Sequence, residues 1–190
     1  ISTSILQNFL YAATTSGLYR ANLESMSLRN YQSWEMIETP FQQNISLMTT
    51  FNNNIFISSE GTSFNTDILY VFNGSVWDEF LTNISIVNLK ASEENLLISC
   101  PFNLKLFDLQ GNQITQVGSG GFGFEKLAFK SAIVGQENEY WIADMYNGLI
   151  CYKNGSAEAI YPTGPYSSDV FQIRNTGDEI WLAHGARNEN

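Results

Sequence analysis

Glu139-Tyr140-Trp141-Ile142-Ala143 is a short apolar strand that ends in a small residue, and the chain contains four more of the same design. They are Asn8-Phe9-Leu10-Tyr11-Ala12, Asn54-Ile55-Phe56-Ile57-Ser58, Asn95-Leu96-Leu97-Ile98-Ser99 and Glu179-Ile180-Trp181-Leu182-Ala183. Successive copies begin 46, 41, 44 and 40 residues apart. A repeat of roughly 40–50 residues is the period of β-propeller blades, each a meander of about four strands.

Working outward from each copy predicts the rest of the unit. In the second repeat, a strand over residues 44–51 reaches a polar turn at Asn52-Asn53, and the apolar strand 54–59 follows. A polar loop over 60–67 leads to a third strand at 68–72, and Asn73-Gly74 predicts a primed two-residue hairpin into a fourth strand at 75–80. The third repeat gives strands at 85–91, 95–100, 104–109 and 113–117, and the fourth gives 128–135, 140–144, 148–152 and 156–161. The first has a longer loop, 22–32, before a fourth strand at 33–37, and the fifth stops after strands at 170–174 and 180–184.

The expected fold is therefore all-β, about four and a half blades with approximate limits 1–40, 41–83, 84–124, 125–165 and 166–190. Near-continuous apolar runs such as Ile55-Phe56-Ile57 indicate strands covered on both faces, as blades are by their neighbours. Four and a half blades complete no ring in the usual range, so an arc of a larger propeller is expected, its first partner being the remainder of that propeller. The absence of an initiator Met at Ile1 reads as a processed or excised chain.

Composition limits function. Nineteen acidic against nine basic residues give a net charge of −10, which disfavours nucleic acid and anionic bilayers. No apolar run is long enough to span a membrane, and residues 1–7 do not read as a signal peptide. Cys100 and Cys151 lack metal-ligand spacing and read as small buried hydrophobes, although a bridge between neighbouring blades stays open. The sequons at Asn44, Asn73, Asn83 and Asn154 are as many as chance supplies.

Three apparent chemical motifs have plainer readings. Gly118-Ser119-Gly120-Gly121-Phe122-Gly123 satisfies GxGxxG, but the repeat places a strand after it where a dinucleotide site needs a helix, so an inter-blade loop with exposed Phe122 and Phe124 is expected. His184 is the only histidine, which rules out a multi-histidine metal site. Glu60, Asp67 and Asp144 are the loop carboxylates available for glycoside chemistry, yet nothing in the sequence pairs them. The repeat-equivalent positions Thr14, Glu60, Cys100, Asp144 and His184 are too varied for a symmetric site. No enzyme, cofactor or metal is expected.

The better candidate is a binding face made by the loops after second and fourth strands. Phe64, Phe102, Phe122, Phe124, Tyr146 and Tyr166 are placed there, with Glu60, Asp144 and His184 beside them. Aromatic residues are enriched in binding surfaces, and capping of the blade-to-blade core is the competing use for them.

Residues 139–155, with Trp141-Ile142-Ala143 followed by Gly148-Leu149 and Asn154-Gly155, resemble the two-component-regulator propeller repeat. Ile180-Trp181-Leu182-Ala183 and Ala12-Ala13-Thr14-Thr15-Ser16-Gly17-Leu18-Tyr19-Arg20 are similar, while the second and third repeats lack the Trp and the Gly-Leu pair. The first repeat, continuing through Tyr31-Gln32-Ser33-Trp34, also resembles the N-terminal propeller of PorZ-type proteins of Bacteroidetes. That resemblance implies an extracytoplasmic binding scaffold of the type IX secretion machinery, with a protein or lipopolysaccharide partner. The alternative it implies is the periplasmic propeller of a hybrid two-component regulator that senses a glycan product; a lyase or hydrolase propeller is the third reading.

Overall fold

In the computed structural model, which describes residues 2–24, 27–41, 45–160, 170–175 and 180–184, the repeat becomes a series of antiparallel meanders. The first sheet is β1 (Ser2–Leu6), β2 (Phe9–Thr14), β3 (Gly17–Asn22) and β4 (Trp34–Ile37). The second is β5 (Ile45–Phe51), β6 (Asn54–Ser59), β7 (Asp67–Phe72) and β8 (Trp77–Ile84). The third is β9 (Asn88–Ala91), β10 (Leu96–Ser99), β11 (Asn103–Phe107) and β12 (Gln113–Gly118), and the fourth β13 (Phe129–Val134), β14 (Tyr140–Asp144), β15 (Gly148–Lys153) and β16 (Ser156–Ile160). In each, chain order is spatial order, the signature of a propeller blade. The chain divides into two units, Ile1–Ala159 and Ile160–Asn190; the second contains the antiparallel pair β17 (Val170–Asn175) and β18 (Ile180–His184).

Three apolar cores separate the four blades of the first unit. Leu6, Tyr11 and Leu18 of the first blade pack with Ile55, Ile57 and Phe72 of the second. The opposite face of the second, with Phe51, Phe56 and Leu69, meets Leu96, Ile98 and Phe107 of the third. Leu97, Leu104 and Leu106 then pack with Phe129, Ile142 and Ile150 of the fourth. The middle strands of the second and third blades thus bury both faces, which is why Leu96–Ser99 is wholly buried and does not alternate. First strands of successive blades are also tied by side-chain hydroxyls: Thr50 Oγ1 donates to the Ile5 carbonyl at 2.9 Å, and Ser131 Oγ to Asn88 Oδ1 at 3.2 Å.

Turn chemistry explains the strand boundaries inside the blades. Asn52 and Asn53 (φ 44° and 56°) join β5 to β6, and Asn154 with Gly155 (φ 52° and 81°) joins β15 to β16, both in the paired left-handed conformation of primed hairpins. Asn73-Gly74 departs from this expectation. Only Gly74 has positive φ, and Asn73 Oδ1 accepts from the Ser75 and Val76 amides at 2.9 Å, which opens the turn into a four-residue Asx loop. Register shifts along β7 and β8 carry β8 to Ile84, beyond the predicted 80. The third blade begins at Asn88 instead of 85 because the Ile86 and Val87 amides are taken by Asp67 Oδ2 and the Ser99 carbonyl, at 2.8 Å each.

Candidate functional site

The loops that follow second and fourth strands are laced together by their own backbone. Ser119 N–H donates to the Phe102 carbonyl (2.9 Å), Phe129 N–H to that of Pro101 (2.9 Å) and Met145 N–H to that of Ala128 (3.0 Å). The third and fourth blades therefore share one bonded loop surface.

Two buried carboxylates brace this surface. Asp67 Oδ1 accepts from Gly61 N–H at 2.9 Å and its Oδ2 from Ile86 N–H at 2.8 Å, joining the β6–β7 loop to the β8–β9 connection. Asp144, 7% exposed, repeats the device in the fourth blade: it accepts from the Ala128, Tyr146 and Asn147 amides at 2.6–2.9 Å and from Asn147 Nδ2 at 2.8 Å. Desolvation pulls the Asp144 pKa upward, but the amide hydrogen bonds of Ala128, Asn147 and Tyr146 outweigh it and leave the carboxyl below its ordinary value. An ionised, fully engaged carboxylate is a structural brace and is not a binding group open to a ligand. The first blade does the same more weakly, with Thr14 Oγ1 accepting from Ser16 N–H and donating to the Gly17 carbonyl.

Above these braces the structure brings four of the nominated aromatics into one strip. Phe102 is 49% exposed and divides two hollows. One, of about 370 Å³, lies between the second and third blades, where Phe64 (63% exposed) is 6.3 Å from Phe102 between ring centroids. The other, of about 400 Å³, is bounded by Phe102, Phe124 and Tyr146 (57% exposed), together with Lys126, Glu125 and Ser119. Glu60 is also exposed, on the loop that carries Phe64.

Phe122 is a correction, and Phe124 in part: expected exposed, Phe124 is half-buried against the core between the third and fourth blades, and Phe122 is wholly inside it. Phe122 is 5% exposed, stacks on Tyr152 at 4.8 Å and packs against Phe129 at 5.6 Å. The cause is a single 3-10 turn at Ser119–Gly121, which aims Phe122 inward before Gly123 (φ 76°) reverses the chain. No helix follows the GxGxxG stretch: the chain runs on to β13, so the amides are not arranged for a pyrophosphate. Tyr166 lies outside the described residues. His184 ends the backbone of β18, and its side chain is likewise outside them.

Sequence reasoning missed Lys126, Pro101, Ser119 and Asn65, all of which line these hollows. Lys126, two residues from Phe124, was the readable signal. Among the described residues no group of three His, Cys, Asp or Glu side chains converges as a metal site, and no helix is long and apolar enough to cross a membrane. Cys100 and Cys151 are both free; burial pushes the Cys100 thiol up to about 11.

No protein-family model and no curated protein matches this chain. Among solved structures it is similar to PorZ, a bacterial surface component of the type IX secretion system of Porphyromonas gingivalis, with a TM-score of 0.64 and 16% identity over 98% of this chain and 24% of that one. It is similar also to the extracellular domain of the B. thetaiotaomicron system BT4673, solved as a one-component system (TM-score 0.59, 15% identity, 96% of this chain and 26% of that) and as a hybrid two-component system (0.59, 17%, 95% and 25%). These likenesses establish the propeller fold. The chain spans about a quarter of the length of each of these proteins.

Proposed function

We propose that this chain is a non-catalytic recognition propeller of an extracytoplasmic protein, whose loop face holds a protein or the sugar portion of a glycolipid, in the manner of a PorZ-like surface scaffold. The observation that carries this reading is the strip of Phe64, Phe102, Phe124 and Tyr146, four aromatics gathered from three blades with three of them largely exposed. Exposed aromatic clusters of this kind are where binding energy concentrates. Two of the three loop carboxylates nominated for hydrolytic chemistry are otherwise employed, since Asp67 and Asp144 are both bound by backbone amides, which leaves Glu60 with neither as a partner.

A sensor propeller is the second reading, favoured by the similarity to the BT4673 extracellular domain at a TM-score of 0.59. Both readings use the loop face and differ in what occupies it. Surface plasmon resonance with immobilised lipopolysaccharide and, separately, with a panel of neutral oligosaccharides distinguishes them. The scaffold reading predicts saturable binding to lipopolysaccharide, weakened at least about tenfold by the loss of Phe102 and Tyr146 together, the scale of one hot spot. Binding to an oligosaccharide alone transfers the assignment to a sensor; binding unchanged by F102A/Y146A removes the loop face from both.

A further inference from the structure

The opposite end of the same blades has a hollow that no residue discussed above as a binding candidate lines. It opens between the second and third blades, where the β5–β6 turn, the β7–β8 loop and the β11–β12 loop meet, and has a volume of about 270 Å³. Its apolar wall is half-buried Phe80 with exposed Val76 and Leu109; beneath it lie the core rings of Phe51 and Phe56, each 5% exposed, with Phe56 5.1 Å, edge to face, from Phe80. Gly111, with φ 81°, walls it closely, since a Cβ there would sit 3.3 Å from the Phe80 ring.

The rim is made of carboxamides, and their hydrogen bonds fix which atoms remain for a ligand. Asn52 Nδ2 donates across the blades to the Leu109 carbonyl at 2.8 Å, and Asn54 Nδ2 donates to the Asn52 carbonyl at 2.8 Å. Both side chains therefore keep their oxygens as acceptors. Asn73 is oriented the other way, with Oδ1 occupied by the Ser75 and Val76 amides and Nδ2 left to donate. Among the described residues Asp78 and Gln110 have no side-chain hydrogen bond, and Asp78 is the only ionisable group in the lining.

This chemistry narrows the occupant. A phosphate or carboxylate ligand would meet Asp78 with no Lys or Arg to answer it. A divalent cation would find carboxamide oxygens but a single negative charge, and affinity for such ions rises with the charge of the ligand set. The volume is near the lower end of the roughly 300–1,000 Å³ of small-molecule sites, room for a single ring with its substituents. A neutral sugar ring has an apolar face to lie on one Phe ring and its aliphatic neighbours, and a circumference of hydroxyls that both donate and accept, which is what mixed carboxamides and one carboxylate satisfy. We propose that this hollow is a subsite for one neutral pyranose residue, with its apolar face on Phe80, Val76 and Leu109 and its hydroxyls held by Asn52, Asn54, Asn73, Gln110 and Asp78. It faces away from the loop surface and does not depend on the function proposed there.

The side-chain amides give a direct readout. In ¹⁵N-correlated NMR of the full chain, methyl β-glucopyranoside, methyl β-galactopyranoside and N-acetylglucosamine are each titrated. At least one is expected to shift the NH₂ signals of Asn52, Asn54, Asn73 and Gln110 together and saturably, in the millimolar range expected of so small a ligand. D78N removes a charged acceptor whose side chain makes no hydrogen bond among the described residues, and is expected to weaken that binding about tenfold. F102A, on the other face, leaves the titration unchanged. No saturable shift with any of the three sugars overturns the proposal. So do shifts that D78N leaves intact, or an equal response to tetramethylammonium, which would make the Phe80 ring and carboxylate a cation site.

Discussion

Asp144 shows how much of this molecule depends on single side chains that a sequence presents as candidates for chemistry. Its carboxylate accepts from three backbone amides, and D144A leaves those buried donors without partners. The expected cost is about 1–3 kcal/mol in urea unfolding at pH 7. Because the folded pKa lies below the unfolded value of about 3.9, this stabilisation is complete above that pH and is lost as pH falls through the folded value. The difference between wild type and D144A should therefore shrink as unfolding is repeated at progressively more acid pH; a constant difference would deny that the charge matters. Phe122, between Tyr152 and Phe129, makes the complementary case: F122A should cost about 3–5 kcal/mol. A loop aromatic at a binding face would cost little stability, so the same unfolding experiment separates the two uses. Cys100, with its thiol raised to about 11, should resist a thiol reagent at pH 8 until the chain unfolds, while half-buried Cys151 reacts in the native state.

At the scale of elements, the middle strands were legible because a short apolar run bounded by polar turns has few alternatives. The expectations for 54–59, 140–144 and 180–184 match β6, β14 and β18 to the residue. What composition did not carry was direction within a loop. Phe122 and Phe124 sit two positions apart in one glycine-rich stretch, yet a single 3-10 turn buries the first and leaves the second at the rim of the hollow. Asp67 and Asp144 escaped notice as a pair because one begins a third strand and the other ends a second strand; only the loop amides that each accepts from reveal the common role. The β6–β7 loop offers a test of how such braces position the face. A Cβ on Gly61 would collide with the Thr66 backbone, so G61A must displace the loop that carries Phe64. The expected outcome is a loss of about 1–3 kcal/mol together with altered ring-proton contacts between Phe64 and Phe102 in NMR. An unchanged Phe64–Phe102 contact would show that the strip does not rely on this loop conformation.

At the scale of the whole molecule, four blades in the first unit share three cores, and apolar side chains stay exposed on the first and fourth of them. Ile5 and Met36 are exposed on the first blade, and Ile133 and Leu149 on the fourth. Faces of this composition favour association, and sedimentation of the 190-residue chain at rising concentration should show it, with I5K/I133K reducing it at little cost in stability. A chain that stays monomeric throughout would mean these faces are tolerated alone. The central claim, that the Phe64–Phe102–Tyr146 strip is the recognition surface, is tested most directly by photo-crosslinking in the native cell, with benzoylphenylalanine placed in the full-length protein at position 64, 102 or 146. Exposed Ile114, on the outer strand of the third blade, is the control position. The account predicts one common crosslinked partner from the three loop positions and none from position 114. The same partner from position 114, or no partner from any of the three, would contradict it.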